Sequence, residues 1–98
     1  ERVENARDVF TGTVSLSQNY PNPFNPATRI KYRLSRPAHI VLKIYDIAGQ
    51  EAATLVDEFQ SAGEQETTWH PKGLPAGLYF CQIRAGGFSE TRKLTLLK

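Results

Sequence analysis

From Thr28 to Leu34 every second residue is apolar. Ile30, Tyr32 and Leu34 fall on one side of an extended chain, and Arg29, Lys31 and Arg33 on the other. A period of two is what a strand with one buried and one wet face requires, because successive side chains point to opposite sides of the pleat. The pattern recurs along the chain. Ala38 to Tyr45 sets Ile40, Leu42 and Ile44 against Val41, Lys43 and Tyr45. Gln65, Thr67 and Trp69 share one side of a later block, and Tyr79, Cys81 and Ile83 alternate with Phe80, Gln82 and Arg84 in the next. Leu94 and Leu96 point inward from the last block, Phe88 to Lys98, and a short extended block covers Val14 to Ser17. Glu51 to Phe59 fits a helical stripe about as well as a strand. Its place directly after a turn, and its end at Ala62-Gly63, favour a strand with a bulge or bend.

The blocks are separated by Ser35-Arg36-Pro37, Asp46-Ile47-Ala48-Gly49, His70-Pro71-Lys72-Gly73, Leu74-Pro75-Ala76-Gly77 and Gly86-Gly87. In the second of these, a type I turn is closed by a Gly free to take positive φ, and Gly86-Gly87 is a hairpin signal. Short strands at a spacing of roughly 8–12 residues predict an all-β fold, an immunoglobulin-like antiparallel β-sandwich of about seven strands. Asn19-Tyr20-Pro21-Asn22-Pro23-Phe24-Asn25-Pro26 is too rich in Pro for a helix or a central strand. It reads as a rigid, irregular connector, with Tyr20 and Phe24 stapling the rim of the sandwich. Residues 1–15 read as a lead-in and 16–98 as the domain.

Composition removes several classes of function. Twelve Lys+Arg against ten Asp+Glu give a net charge of +2, far from the clustered basic face that nucleic acid needs. One Cys excludes an intrachain disulfide framework and a cysteine-rich zinc site. No apolar run approaches the ~18 residues of a membrane span. Catalysis has no visible basis either. His39 and His70 lack a His, Cys, Asp or Glu partner at ligand spacing, so no metal or other cofactor is expected. Ser15, Ser17 and Ser35 have no paired base, and Asp57-Glu58 and Glu64-Gln65-Glu66 read as solvated charges. Gly86-Gly87 has no following helix to cradle a phosphate. Cys81, between Tyr79 and Ile83, reads as an inert core filler. Trp69 reads as a core side chain; the competing assignment is a stacking platform for a sugar.

The order of short motifs resembles a known family. Asn22-Pro23-Phe24-Asn25-Pro26, then Tyr45-Asp46-Ile47-Ala48-Gly49, Trp69, Leu74-Pro75-Ala76-Gly77-Leu78-Tyr79 and finally Lys93-Leu94-Thr95-Leu96-Leu97-Lys98 resemble the type A C-terminal sorting domain of the type IX secretion system. The resemblance covers Leu16 to Lys98. It departs at His70-Pro71, where the Trp motif usually continues with Asp or Asn and then Gly. What it implies is a non-enzymatic address. Type IX components in Bacteroidota and related bacteria would carry a covalently attached N-terminal passenger through the periplasm and across the outer membrane to the surface or the medium. A sortase-like peptidase would then cut within Glu1 to Ser15.

The resemblance places recognition on Gly77, Tyr79, Lys93, Leu94, Leu96 and Lys98, and gives Asn22, Pro23, Phe24, Asn25, Pro26, Asp46, Gly49 and Trp69 structural roles. The last strand, with Arg92, Lys93 and Lys98, is expected to offer an unpaired edge to which a partner adds a strand. Two alternatives stay open. One is an accessory carbohydrate- or protein-binding module of a secreted enzyme. The other is a structural spacer, since the Asn-Pro-Phe-Asn-Pro and Tyr-Asp-x-x-Gly motifs also resemble the immunoglobulin-like domain of flagellar hook-capping proteins. The Lys93 to Lys98 ending favours sorting.

Overall fold

The strand expected from Thr28–Leu34 is buried at every second residue, with Thr28, Ile30, Tyr32 and Leu34 inside and Arg29, Lys31 and Arg33 outside. A computed structural model describes residues 12–97, and the expectations that fall on residues 1–11 and on Lys98 lie outside them. The described residues form seven strands: β1 (Val14–Leu16), β2 (Thr28–Leu34), β3 (Ala38–Tyr45), β4 (Glu51–Gln60), β5 (Gly63–Trp69), β6 (Gly77–Ala85) and β7 (Phe88–Leu96). They make two sheets, β1-β2-β5 and β4-β3-β6-β7, whose hydrogen-bonded neighbours are all antiparallel. This is the all-β sandwich that the alternation predicts.

The segment Glu51–Gln60 is a strand, and it is bulged twice. Its register against β3 shifts between Leu42 and Lys43 and again between Ile44 and Tyr45, which leaves Leu55 and Ala52 without partners. The extra residues explain why its apolar side chains fit no clean period of two. One apolar core joins the sheets. Ile30 and Leu34 face it from the first, and Ile40, Leu42, Ile44, Ile83 and Leu94 from the second. Burial of each such side chain is worth roughly 1.5–3 kcal/mol. Cys81 is buried among them, and burial pushes its thiol up to about 12, so it is a protonated core filler at neutral pH. Trp69 is buried too, and so presents no face to a sugar.

The far side of β7 overturns an expectation. It pairs with β6 on one side, and the chain's own segment 16–24 covers the other. The Leu16 N–H donates to Glu90 Oε1 at 3.1 Å, and Arg92 Nε donates to the Leu16 carbonyl at 2.9 Å. Gln18 Nε2 donates to the Lys93 carbonyl at 2.7 Å, and the Thr95 N–H donates to Asn22 Oδ1 at 3.0 Å. Phe24 then runs parallel to β7: its N–H donates to the Thr95 carbonyl at 3.0 Å, and its carbonyl accepts the Leu97 N–H at 2.8 Å. The C-terminal strand therefore does not offer the open edge that its position in the sequence suggests. Two side chains of β7, Glu90 and Arg92, do the work that ladder bonds would do between strands of one sheet, because β1 belongs to the opposite sheet.

Phe24 is also more than a rim staple. It is 1% exposed, whereas its neighbour Tyr20 is 73% exposed. The loop that carries it is pinned from within. Buried Asn19 donates through Nδ2 to Thr28 Oγ1 at 2.9 Å, and the Thr28 hydroxyl donates to the Pro21 carbonyl at 2.7 Å. These polar groups sit inside without an unmet partner, as buried polar atoms must.

Candidate functional site

Strand register brings the separate motifs to one end of the sandwich. Thr28 pairs with Trp69, Gly77 with Leu96, Tyr79 with Leu94 and Tyr45 with Phe80, while Phe24 bridges to Leu96. Inside this pole three aromatic rings from three motifs are in contact. The Phe24 and Trp69 centroids are 5.6 Å apart and tilted by 51°, and Trp69 and Tyr79 meet edge-on at 5.5 Å. Such geometries suit the ring quadrupoles and add about 0.5–1.5 kcal/mol per pair beyond burial.

Tyr79 is anchored at both ends. Its ring packs on Trp69, and its hydroxyl donates to the Pro75 carbonyl four residues upstream at 2.7 Å. This is the tyrosine corner of immunoglobulin-like sandwiches. Burial, with a smaller contribution from the Asp46 carboxylate, holds its phenol above the ordinary range. The Asp46 turn lies beside it. Asp46 Oδ1 accepts the N–H groups of Ala48 and Gln50, both at 2.9 Å, and the Gly49 N–H donates to the Asp46 carbonyl at 3.0 Å. Gly49 has φ +84° and Gly77 φ +142°, both in the region that L side chains avoid, so each motif glycine serves the backbone.

Between the Asp46–Ala48 turn and Pro75–Tyr79 the surface sinks into a groove of about 230 Å³. Its walls are mostly aliphatic. Ile47 stands at the turn 75% exposed, and Leu78 at the start of β6 is 39% exposed. Among the described residues no three His, Cys, Asp or Glu side chains gather to hold a metal ion, and no helix is long and apolar enough to cross a membrane. What this pole offers chemically is shape, apolar surface and the charge of Lys93, which lies opposite Phe80 in the register and is exposed.

The residues singled out from the sequence divide by burial. Tyr79, Leu94, Leu96, Phe24 and Trp69 are core side chains. Gly77, Lys93, Asn22, Pro23, Asn25 and Pro26 are at the surface, and Asn22 spends its side-chain oxygen on β7. Lys98 lies outside the described residues. Sequence reasoning passed over Ile47 and Leu78. Their signal was present: Ile47 is a large apolar residue at a turn, and Leu78 is out of phase with Tyr79. It also left His39 without a partner, whereas His39 Nε2 meets Asp57 Oδ1 at 2.6 Å on the exposed surface.

Fold and pole together define a small immunoglobulin-like sandwich whose sequence motifs build one end and leave an apolar groove there. That class is broad, and sequence comparison narrows it. The chain belongs to the secretion system C-terminal sorting domain family, whose model matches residues 18–97. Membership makes it a C-terminal sorting signal of type IX secretion and implies a secreted or cell-surface protein. No curated protein matches the chain.

Proposed function

We propose that this domain is the address by which the type IX machinery exports a passenger, joined ahead of it, across the outer membrane. The family match over residues 18–97 carries that proposal. The way the chain enters the sandwich supports it. Thr13 and Ser35 exchange two hydrogen bonds, so the N-terminal side of the domain lies at the Leu34 end of β2. The motif pole is at the Thr28 end, six residues and roughly 20 Å away. A receptor bound at the motif pole would leave free the opposite end of β2, where the chain enters the sandwich at Thr13, and a sortase-like cut is proposed upstream of β1. Recognition falls on the motif-pole surface carried by Gly77 and Lys93, with Tyr79, Leu94 and Leu96 shaping it from beneath, and on Lys98, which lies outside the described residues.

The test is a reporter that reaches the periplasm by its own signal, fused ahead of all 98 residues. It is followed in a type IX-competent strain and in a derivative lacking the machinery. The reporter is expected on the cell surface or in the medium of the first strain and in the periplasm of the second. Retention in the periplasm of both would refute the sorting function.

A further inference from the structure

We propose that the groove between the Asp46–Ala48 turn and Pro75–Tyr79 is the contact by which the domain is read. The occupant would be a segment of the export machinery that inserts one or two aliphatic side chains and presents a carboxylate to Lys93. This rests on the sorting function above and names its contact surface.

Three other surfaces are less suited to the contact. Segment 16–24 hydrogen-bonds along the outer edge of β7, so strand addition there would first have to displace Leu16 and Phe24, both 1% exposed. The outer face of β2 and β5 carries no large apolar side chain, and most of its charge is paired, through Arg33–Glu64 at 3.2 Å and Arg29–Glu66 at 3.6 Å, with Lys31 left over. The outer edge of β4 is bulged twice and carries Asp57 and Glu58, features that discourage edge pairing. The motif pole differs. Ile47, Leu78 and Leu97 are 75%, 39% and 49% exposed, and Leu97 lies one residue beyond the Gly77–Leu96 pair. Ile47 and Leu78 line one groove, and exposed large aliphatic side chains that share a groove on a small domain mark an interaction surface, unlike a single exposed one.

Size and charge narrow the occupant. About 230 Å³ is below the roughly 300–1,000 Å³ of small-molecule sites, and fits side chains of a protein partner. The one carboxylate in the wall, Asp46, turns Oδ1 into its own turn. Lys93 has no ion-pair partner among the described residues. It stands opposite Phe80, two residues and roughly 7 Å along β6 from Leu78. An acidic residue about that far from an apolar anchor would pair with it, a contact that guides register and encounter.

The experiment uses the reporter fusion with all 98 residues, comparing the parent with Ile47→Glu, Leu78→Glu, Lys93→Glu and Phe59→Glu. Phe59 is 69% exposed on β4 and pairs with His39 at the far pole, so it controls for charge placed on exposed apolar surface. Each isolated domain is also melted, and Ile47→Glu, at an exposed turn position, is expected to melt with the parent. The secreted fraction is expected to fall at least ~10-fold for Ile47→Glu and Leu78→Glu and several-fold for Lys93→Glu, with Phe59→Glu exported like the parent. If the parent is exported and Ile47→Glu is exported equally well, the groove is not the contact, and sorting stands. If the parent itself stays in the periplasm, the sorting function fails and this inference with it. Binding of the isolated domain to lipid vesicles, or self-association, that Ile47→Glu abolishes would assign the groove a different occupant and also overturn it.

Discussion

Replacing Phe24 with Ala tests the internal logic of the motif pole. Phe24 is 1% exposed, its ring lies 5.6 Å from Trp69, and its backbone holds the outer edge of β7 through Thr95 and Leu97. Truncating a buried Phe to Ala costs about 3–5 kcal/mol, the lost transfer energy plus the cavity left behind. A 98-residue domain has on the order of 5–15 kcal/mol in all, so this one change removes roughly a third to a half of a mid-range stability. Phe24→Leu keeps most of the apolar volume and should cost about 1–2 kcal/mol. The assay is urea unfolding followed by fluorescence of Trp69, the only Trp in the chain and a direct neighbour of the deleted ring. Amide exchange adds a local readout. The Thr95 and Leu97 N–H groups, held by Asn22 and Phe24, should exchange faster together in Phe24→Ala than those of Ile83 in the sheet centre. A loss below about 1 kcal/mol, with Trp69 emission and both amides unchanged, would refute the claim that the Pro-rich segment belongs to the core and closes the edge.

Two further outcomes follow from the buried titratable groups. The Cys81 thiol is held near 12, whereas an unfolded chain releases that proton near ~8.5. Above that lower value the unfolded state binds fewer protons than the folded one, so stability falls as pH rises from about 9 toward 12, by up to ~1.4 kcal/mol per pH unit. Cys81→Ala should flatten the first part of that alkaline slope in urea titrations at pH 8 to 11; an unchanged slope would mean the thiol is not buried. Tyr79→Phe leaves the Pro75 carbonyl without its donor and should cost about 1–2 kcal/mol while Trp69 emission stays native-like. A neutral result in denaturant titration would mean that the Tyr79 hydroxyl does not hold the Pro75 carbonyl.

The strands were legible because their energetics are local. In β2, burial of Ile30, Tyr32 and Leu34 needs only a period of two, and any sheet that covers one face reproduces it. The bulges of β4 were visible as a broken pattern, although their positions opposite Lys43 and Tyr45 depend on the partner strand. The seam along β7 was not legible. It joins Leu16 to Glu90 and Arg92, and Phe24 to Thr95 and Leu97, pairs more than seventy residues apart in the chain. Nothing in β7 itself says that a strand of the other sheet will lie alongside it. The burial of Phe24 is hidden in the sequence for a similar reason: three nearby prolines mark an irregular loop, and irregular loops usually lie on the surface. Here the chain turns inward at Phe24, while Pro23, Asn25 and Pro26 stay exposed.

The burial of the motif residues changes how their loss should be interpreted. Phe24, Trp69, Tyr79, Leu94 and Leu96 recur in the resemblance, yet each lies 6% exposed or less, where a receptor meeting the folded domain cannot touch it. Removing Lys93 to Lys98 deletes two of these core side chains, and the two Leu→Ala equivalents alone would cost about 4–10 kcal/mol, comparable to the whole stability of such a domain. Loss of export after that truncation would follow from unfolding as readily as from a lost contact. Lys93 separates the two causes, because its side chain is exposed and its neighbours Leu94 and Leu96 remain in place when it alone is changed. A motif of this kind identifies a fold that presents a signal, and the signal itself has to be sought in what the packed pole leaves at its surface.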